Sequence, residues 1–245
     1  MKFISSMWLV LVLFFCCLFF CSLVVITFSV VRLFRCKAVA HDAGHRVAIY
    51  WARSIMFLIP GWTSVIEGIE NIPKNRRFVM VANHESMTDI FVILLLGIQF
   101  RYLSKASMLK VPLFGQAMRA AGYIGVDRGN PKSHRLALNE TRKVVESGRP
   151  VLFFAEGTRS VDGHLLPFKI GAFKLANESE ATILPICLVG TRKLLIKGSI
   201  KPGQSKVKVM ILPELDRIEE ESLQNWAQRA RNAIVECRKN YEVVT

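Results

Sequence analysis

The chain has 245 residues, of which 51% are hydrophobic and 21% charged, and it carries 33 Lys and Arg against 19 Asp and Glu, a net charge of +14. That length holds one catalytic-sized domain plus an accessory segment. Apolar and basic character together exclude a disordered acidic tail, a collagen-like chain and a small disulfide scaffold. They suggest a chain that meets anionic surfaces: membrane lipid, phosphorylated metabolites or nucleic acid.

The apolar excess lies at the start. Residues 3–31, a run of 29, contain no charge. As one helix they reach about 43 Å, enough to span a bilayer with tilt. A secretory signal has an apolar region of about 7–15 residues and a small-residue cleavage site. This run is longer and no such site follows, so a retained membrane anchor is expected. Lys2 precedes it, while Arg32, Arg35 and Lys37 follow at once. The positive-inside tendency then leaves the bulk of the chain on the cytoplasmic side.

Residues 38–59 mix His41, Asp42, His45, Arg46 and Arg53 with Val47, Tyr50, Trp51, Ile55, Met56, Phe57 and Leu58. The segment is too polar to span. It suits an amphipathic helix at the interface, with Tyr50 and Trp51 at headgroup level. The alternative is an ordinary core helix. Pro60-Gly61 ends it either way. The expected organisation is therefore an anchor over residues 1–60 and a catalytic domain over 61–245.

Residues 1–60 hold six Lys and Arg and one Asp, so the remainder keeps +9 of the total charge. Its basic residues are dispersed, with no RNA-binding aromatic signature and no helix-turn-helix pattern, so no nucleic-acid partner is expected. Three of the six cysteines (Cys16, Cys17, Cys21) lie in the apolar run, and no Cys-x-x-Cys occurs. Neither a zinc site nor a redox motif is indicated.

From about residue 63 short β-rich runs alternate with helical stretches. Strands are predicted at 63–67, 78–82, 101–103, 123–126, 151–154, 182–189 and 206–212. Helices are predicted at 88–96, 114–121, 132–147, 170–177 and 219–239. This alternation implies an α/β layer fold.

Two stretches carry chemistry. The first is Val81-Ala82-Asn83-His84-Glu85-Ser86-Met87-Thr88-Asp89. On one helix, His84 and Asp89 would not share a face. They meet only if His84 sits at the strand end and the turn folds Asp89 back. The carboxylate would then hold one imidazole nitrogen protonated, leaving the other to accept a proton. The same residues also fit a helix start, because Ser86-x-x-Asp89 is a capping-box pattern.

The second is Phe153-Phe154-Ala155-Glu156-Gly157-Thr158-Arg159-Ser160. An apolar strand runs into a turn in which Gly157 allows close backbone approach. Thr158, Ser160 and backbone N–H groups offer donors, and Arg159 a bidentate fork for phosphate. A polar turn with a surface arginine fits as well. Lys105 follows a predicted strand, Arg128 ends another, and both are further candidate donors. Ser86 lacks a nucleophile elbow around it, and Cys187 lies in an apolar strand, where cysteine is usually inert. Direct attack by a substrate hydroxyl is the simpler mechanism.

Together these blocks resemble the lysophospholipid acyltransferase family, which includes 1-acyl-glycerol-3-phosphate acyltransferase. Asn83-His84 through Asp89 looks like its His-x4-Asp motif. Lys110 through Arg128, with Val111-Pro112-Leu113-Phe114-Gly115 and Val126-Asp127-Arg128, is similar to its second block. Phe154 through Ser160 is similar to the third, and Ile183-Leu184-Pro185-Ile186-Cys187 to the fourth.

The resemblance implies an α/β fold with a mixed sheet flanked by helices, and the apolar run and mixed segment ahead of it read as an N-terminal membrane-associated helical hook. It implies transfer of a fatty acyl group from acyl-CoA or acyl-carrier protein to the 2-hydroxyl of a lysophosphatidic acid, giving phosphatidic acid. In this picture His84 is the general base and Asp89 its orienting partner. Glu156, Gly157, Thr158 and Arg159 form the acceptor site, with Arg159 on the phosphate and Lys105 and Arg128 as further phosphate partners. Phe91, Val92, Leu94, Leu113 and Phe114 are expected along an apolar acyl groove. No metal or bound cofactor is demanded, because the thioester supplies the driving force. Acylation of another lysolipid, such as lyso-ornithine lipid, and non-catalytic lipid binding are the competing readings.

Overall fold

The computed structural model describes residues 2–127, 129–159, 164–195 and 203–242. The charge-free run forms α1 (Lys2–Phe34), and the mixed segment forms α2 (Lys37–Leu58), which turns back against α1. The rest alternates strand and helix in chain order. It runs through β1 (Trp62–Glu67), β2 (Phe78–Ala82), α3 (Asp89–Leu94), β3 (Arg101–Lys105), α4 (Phe114–Ala120) and β4 (Ile124–Val126). It continues with α5 (Pro131–Glu146), β5 (Val151–Phe154), α6 (Gly171–Glu178), β6 (Thr182–Val189), α7 (Thr191–Leu194), β7 (Ser205–Ile211) and α8 (Leu223–Glu242).

Among the described residues the strands form one seven-stranded sheet in the order β1-β7-β6-β2-β5-β3-β4. Every neighbouring pair is parallel except β6 and β7. The sheet is therefore mixed, as expected. Its central strands are covered on both faces, which is why Phe78-Val79-Met80-Val81-Ala82 is an unbroken buried run. Met80, Ala82, Leu152, Leu184 and Ile186 face α1, α2 and α3, through residues such as Leu9, Ala52, Ile55 and Ile93. Val79, Val81, Val151 and Ile183 face the other side, where Val145, Phe173, Trp226 and Ala230 of α5, α6 and α8 cover them.

The strand positions follow the sequence pattern closely. The last helix starts later than residue 219. Ser222 sets its start, taking the N–H of Asn225 on its hydroxyl and that of Trp226 on its carbonyl. Residues 106–110 form a short 3-10 helix before α4.

The N-terminal helices share the core of the sheet. Ala40, Gly44, Ala48, Ala52 and Ile55 of α2 are buried, and a Cβ on Gly44 would stand 3.0 Å from the carbonyl oxygen of Ala120. Tyr50 is exposed. Trp51 instead meets Phe91 and Phe114 edge-on, at 5.2 and 6.0 Å between ring centroids. Its partners on α3 and α4 turn it toward protein rather than headgroups.

Polar groups also tie α2 to the sheet. Asp42 accepts from both Arg101, at the start of β3, and Arg149, just before β5. His45 is fully buried, with Nε2 3.1 Å from the carbonyl of Ile98 and Nδ1 3.0 Å from the Tyr123 hydroxyl. A carbonyl can only accept, so Nε2 donates and Nδ1 accepts from Tyr123. Burial holds this imidazole neutral and pulls its pKa down to about 3.

Candidate active site

Parallel pairing creates the site. Ala82, the last residue of β2, stands beside Phe154, the last of β5, so the residues following both strands emerge side by side. Lys105 and Val126, ending β3 and β4, are register partners in turn. His84, Glu156 and Lys105 therefore follow or end parallel strands at the carboxyl edge of the sheet, where open α/β sheets place their ligands.

The turn after β2 folds Asp89 back onto His84. Nδ1 of His84 lies 2.7 Å from Oδ2 of Asp89. The same carboxylate oxygen accepts the backbone N–H groups of Glu85 and Ser86 at 2.8 and 3.0 Å. An oxygen that already takes two N–H donors is an acceptor for the ring as well. The Nδ1 atom thus carries the hydrogen and Nε2 is left with its lone pair. Both readings of this stretch are realised together. Asp89 opens α3 and accepts the Ser86 N–H, as in a capping box, while the same oxygen orients His84. The Ser86 hydroxyl does not complete the box. It donates to the Leu195 carbonyl at 2.9 Å.

Glu156 supports the histidine from the neighbouring strand. Its Oε1 accepts the backbone N–H of His84 at 2.7 Å, and its Oε2 that of Leu166 at 2.8 Å. Burial pushes its carboxyl above the ordinary range, while the two backbone donors oppose that shift. The side chain spends its oxygens on backbone, so it builds the site rather than presenting a free charge. Gly157 has φ +72°, and a Cβ there would stand 2.8 Å from the side chain of Lys169. Only glycine fits that turn without strain or displacement.

Thr158 and Lys105 are exposed and Arg159 is half-buried. Arg128 lies outside the described residues, as does Ser160. Among the described residues no group of three or more His, Cys, Asp or Glu could hold a metal ion.

Two supports were not anticipated as such. The His84 ring stacks on Phe154, with 4.1 Å between centroids and 20° between planes. Asn83 exchanges two hydrogen bonds with the backbone of Leu188, at 2.9 and 2.8 Å, joining the turn to β6. A lone amide at the end of an all-apolar strand was the available signal for Asn83. Phe154 carried none, because an aromatic at a strand end reads as core.

Apolar space opens on the α5 and α6 side of the sheet edge. Phe154 lines a cavity of about 360 Å³ with Leu103, Ala137, Phe153 and Ile170, and Gly157 and Lys169 stand at its edge. A smaller cavity of about 40 Å³ lies between α1, α2, α3 and α4. Of the residues expected along an acyl groove, Phe91, Leu94 and Phe114 line this second space. Val92 does not, being fully buried in the core against the sheet, and Leu113 packs beside α4.

Residues 64–189 match the family model described as Acyltransferase. The chain is 38% identical over 156 residues to the chloroplastic 1-acyl-sn-glycerol-3-phosphate acyltransferase BAT2 of Brassica napus, covering 63% of this chain and 45% of that one. It is 30% identical over 184 residues to the 1-acyl-sn-glycerol-3-phosphate acyltransferase of Borreliella burgdorferi, covering 74% of each. The chain spans about half the length of the plant relatives, 45% and 43% for the Brassica and Arabidopsis proteins. The crystal structure of the 1-acyl-sn-glycerophosphate acyltransferase PlsC from Thermotoga maritima superposes with a TM-score of 0.81 at 24% identity, over 98% of this chain and 96% of that one. It has the same fold, N-terminal helices included. With the matched segment spanning both the His84–Asp89 turn and the Glu156–Arg159 turn, the chain belongs to the acyltransferase family.

Proposed function

We propose that this protein transfers a fatty acyl group from a thioester, acyl-CoA or acyl-carrier protein, to the 2-hydroxyl of 1-acyl-glycerol-3-phosphate, forming phosphatidic acid. The observation that carries the reading is the bare Nε2 of His84, held by Asp89 and aimed from the edge of the sheet.

In this mechanism Nε2 takes the hydroxyl proton as the oxygen attacks the thioester carbonyl carbon. Collapse of the tetrahedral intermediate breaks the carbon–sulfur bond, and the imidazolium returns its proton to the departing thiolate. Asp89 orients the ring and stabilises the transient imidazolium. Arg159 binds the acceptor phosphate, with Lys105 and Arg128 as further partners. Gly157 and Thr158 shape the acceptor turn. The cavity beside Phe154 has the apolar lining that a fatty chain needs.

The amphiphilic acceptor lives in lipid, so the enzyme works at a membrane. Residues 7–34 of α1 are long and apolar enough to cross one, and much of that helix is exposed, with Phe14, Phe15, Phe19 and Ile26 outward. We assign residues 1–60 as the anchor and 61–245 as the acyltransferase domain. The anchor is a two-helix hook whose second helix doubles as core, and the catalytic domain is on the cytoplasmic side.

Thiol release from acyl-CoA and from acyl-carrier protein, measured on the full chain in lipid micelles, tests the reading. Release that depends on lysophosphatidic acid and on His84 is expected. Release only with lyso-ornithine lipid would keep the mechanism and change the acceptor. No release with any donor or acceptor would leave a lipid-binding protein.

A further inference from the structure

The helix α8 lies outside the residues matched by the family model, yet it reaches the catalytic turn. Its buried stripe runs through Trp226, Ala230 and Ile234. One turn further on, the same stripe meets a charge, Arg238. A guanidinium facing a core is costly unless it is paired. Nη1 of Arg238 lies 2.9 Å from Oε1 of Glu85, with the two side chains 12% and 5% exposed.

Glu85 is the residue after His84. The two side chains leave the end of β2 toward opposite layers. His84 stacks on Phe154, on the side of α2 and α3, while Glu85 meets α8 across the sheet edge. The backbone N–H of Glu85 is meanwhile one of the donors to Asp89, and Asn83 donates to its carboxylate at 3.4 Å. The side chain of Glu85 is therefore anchored behind the sheet while its backbone helps to orient the Asp89 carboxylate in front. The positive charge of Arg238 also favours the ionised form of Glu156, which holds the His84 N–H.

We propose that Arg238 is a positioning residue: through Glu85 it holds the His84–Asp89 turn in the geometry that leaves Nε2 facing the acceptor hydroxyl. This rests on the reading of His84 as the general base. Substrate binding does not pass through Arg238, so its loss falls on kcat rather than on KM.

The test uses the full chain in micelles and the variants Arg238→Met, Arg238→Lys, Glu85→Gln and the double variant Glu85→Gln/Arg238→Met. Steady-state kinetics are measured beside hydrogen–deuterium exchange of the backbone amides of residues 84–89. Arg238→Met is expected to lower kcat by about 10-fold or more, with KM for lysophosphatidic acid within about twofold and faster exchange in the turn. Arg238→Lys recovers most of kcat, and the double variant is no worse than the poorer single one, as coupled neighbours behave. A kcat for Arg238→Met within twofold of wild type, strictly multiplicative losses, or unchanged exchange across residues 84–89 would each overturn the proposal. Loss shared by Arg238→Lys, together with faster exchange throughout α8, would assign the residue to folding alone and overturn it too. If wild type transfers no acyl group, the reaction assignment fails, while exchange in the turn still decides whether Arg238 holds it.

Discussion

Nδ1 of His84 and Oδ2 of Asp89 stand 2.7 Å apart although five positions separate them in the chain. A regular helix would point them to different faces. The pair exists because β2 stops at Ala82, the turn reverses, and α3 begins at Asp89 with its carboxylate facing back. The same oxygen satisfies two backbone donors of the turn, so the geometry that orients the histidine also closes the loop.

Removing the imidazole removes the base together with its stacking on Phe154 and its Nδ1 hydrogen bond to Asp89, while Oδ2 of Asp89 keeps the two backbone donors of the turn. His84→Ala is expected to lower kcat by about 10²–10⁴-fold with the unfolding midpoint nearly unchanged. Asp89→Asn keeps the shape and removes the charge that supports the imidazolium, and falls in the same range. Either variant retaining more than a tenth of the wild-type rate would contradict the assignment.

Arg159 acts on binding. Loss of a charge-assisted hydrogen bond to phosphate costs on the order of 1.5–3 kcal/mol, so Arg159→Ala should raise KM for lysophosphatidic acid by about 10-fold or more. The change in kcat should be smaller, and activity on a monoacylglycerol acceptor, which has no phosphate, should not change. Equal effects on both acceptors would take Arg159 off the phosphate.

Glu156 links activity and stability to pH. Burial raises its carboxyl above the ordinary value, so the folded state holds the proton more tightly than the unfolded chain. The stability this adds is present below the usual carboxylate pKa of about 4.3 and is lost as pH rises through the raised value. The midpoint difference between wild type and Glu156→Gln should therefore move in favour of glutamine from about pH 4 to about pH 7. Turnover should fall all the same, because an amide nitrogen would face one of the two backbone N–H groups. A midpoint difference that is flat with pH would mean that the carboxyl is not shifted.

His45 works with the opposite sign. The folded state keeps the ring neutral down to about pH 3, whereas the unfolded chain takes a proton near the unperturbed value of about 6.5. Stability fully present above that value is lost as pH falls, by up to about 1.4 kcal/mol per pH unit. His45→Gln should flatten the pH dependence of unfolding in this window. An unaltered slope would show that other groups govern the acid limb.

Gly157→Ala places a side chain at φ +72° against Lys169. The strain is of order 1–3 kcal/mol, and the turn before Thr158 and Arg159 must shift to relieve it. A raised KM for the acceptor with a lowered unfolding midpoint is the expected result. Wild-type values for both would show that the turn has room to adapt.

Much of this protein is legible in the sequence by itself. A 29-residue run without charge sets a helix long and apolar enough to cross a membrane, since about 20 such residues suffice. Unbroken apolar runs such as residues 78–82 mark strands covered on both faces, and the turns that follow them place His84 and Glu156 at strand ends. Local periodicity and turn chemistry suffice for these, since they depend on neighbours in the chain. Only the tertiary structure decided the rest. It made α2 part of the core and turned Trp51 inward, because the partners Phe91 and Phe114 come from α3 and α4. It spent the oxygens of Glu156 on the backbone of His84 and Leu166, and it brought Arg238 to Glu85 from a helix about 150 positions away. Such contacts arise from strand order and crossover, and a pattern read along the chain carries no record of which distant side chain will stand across a sheet edge.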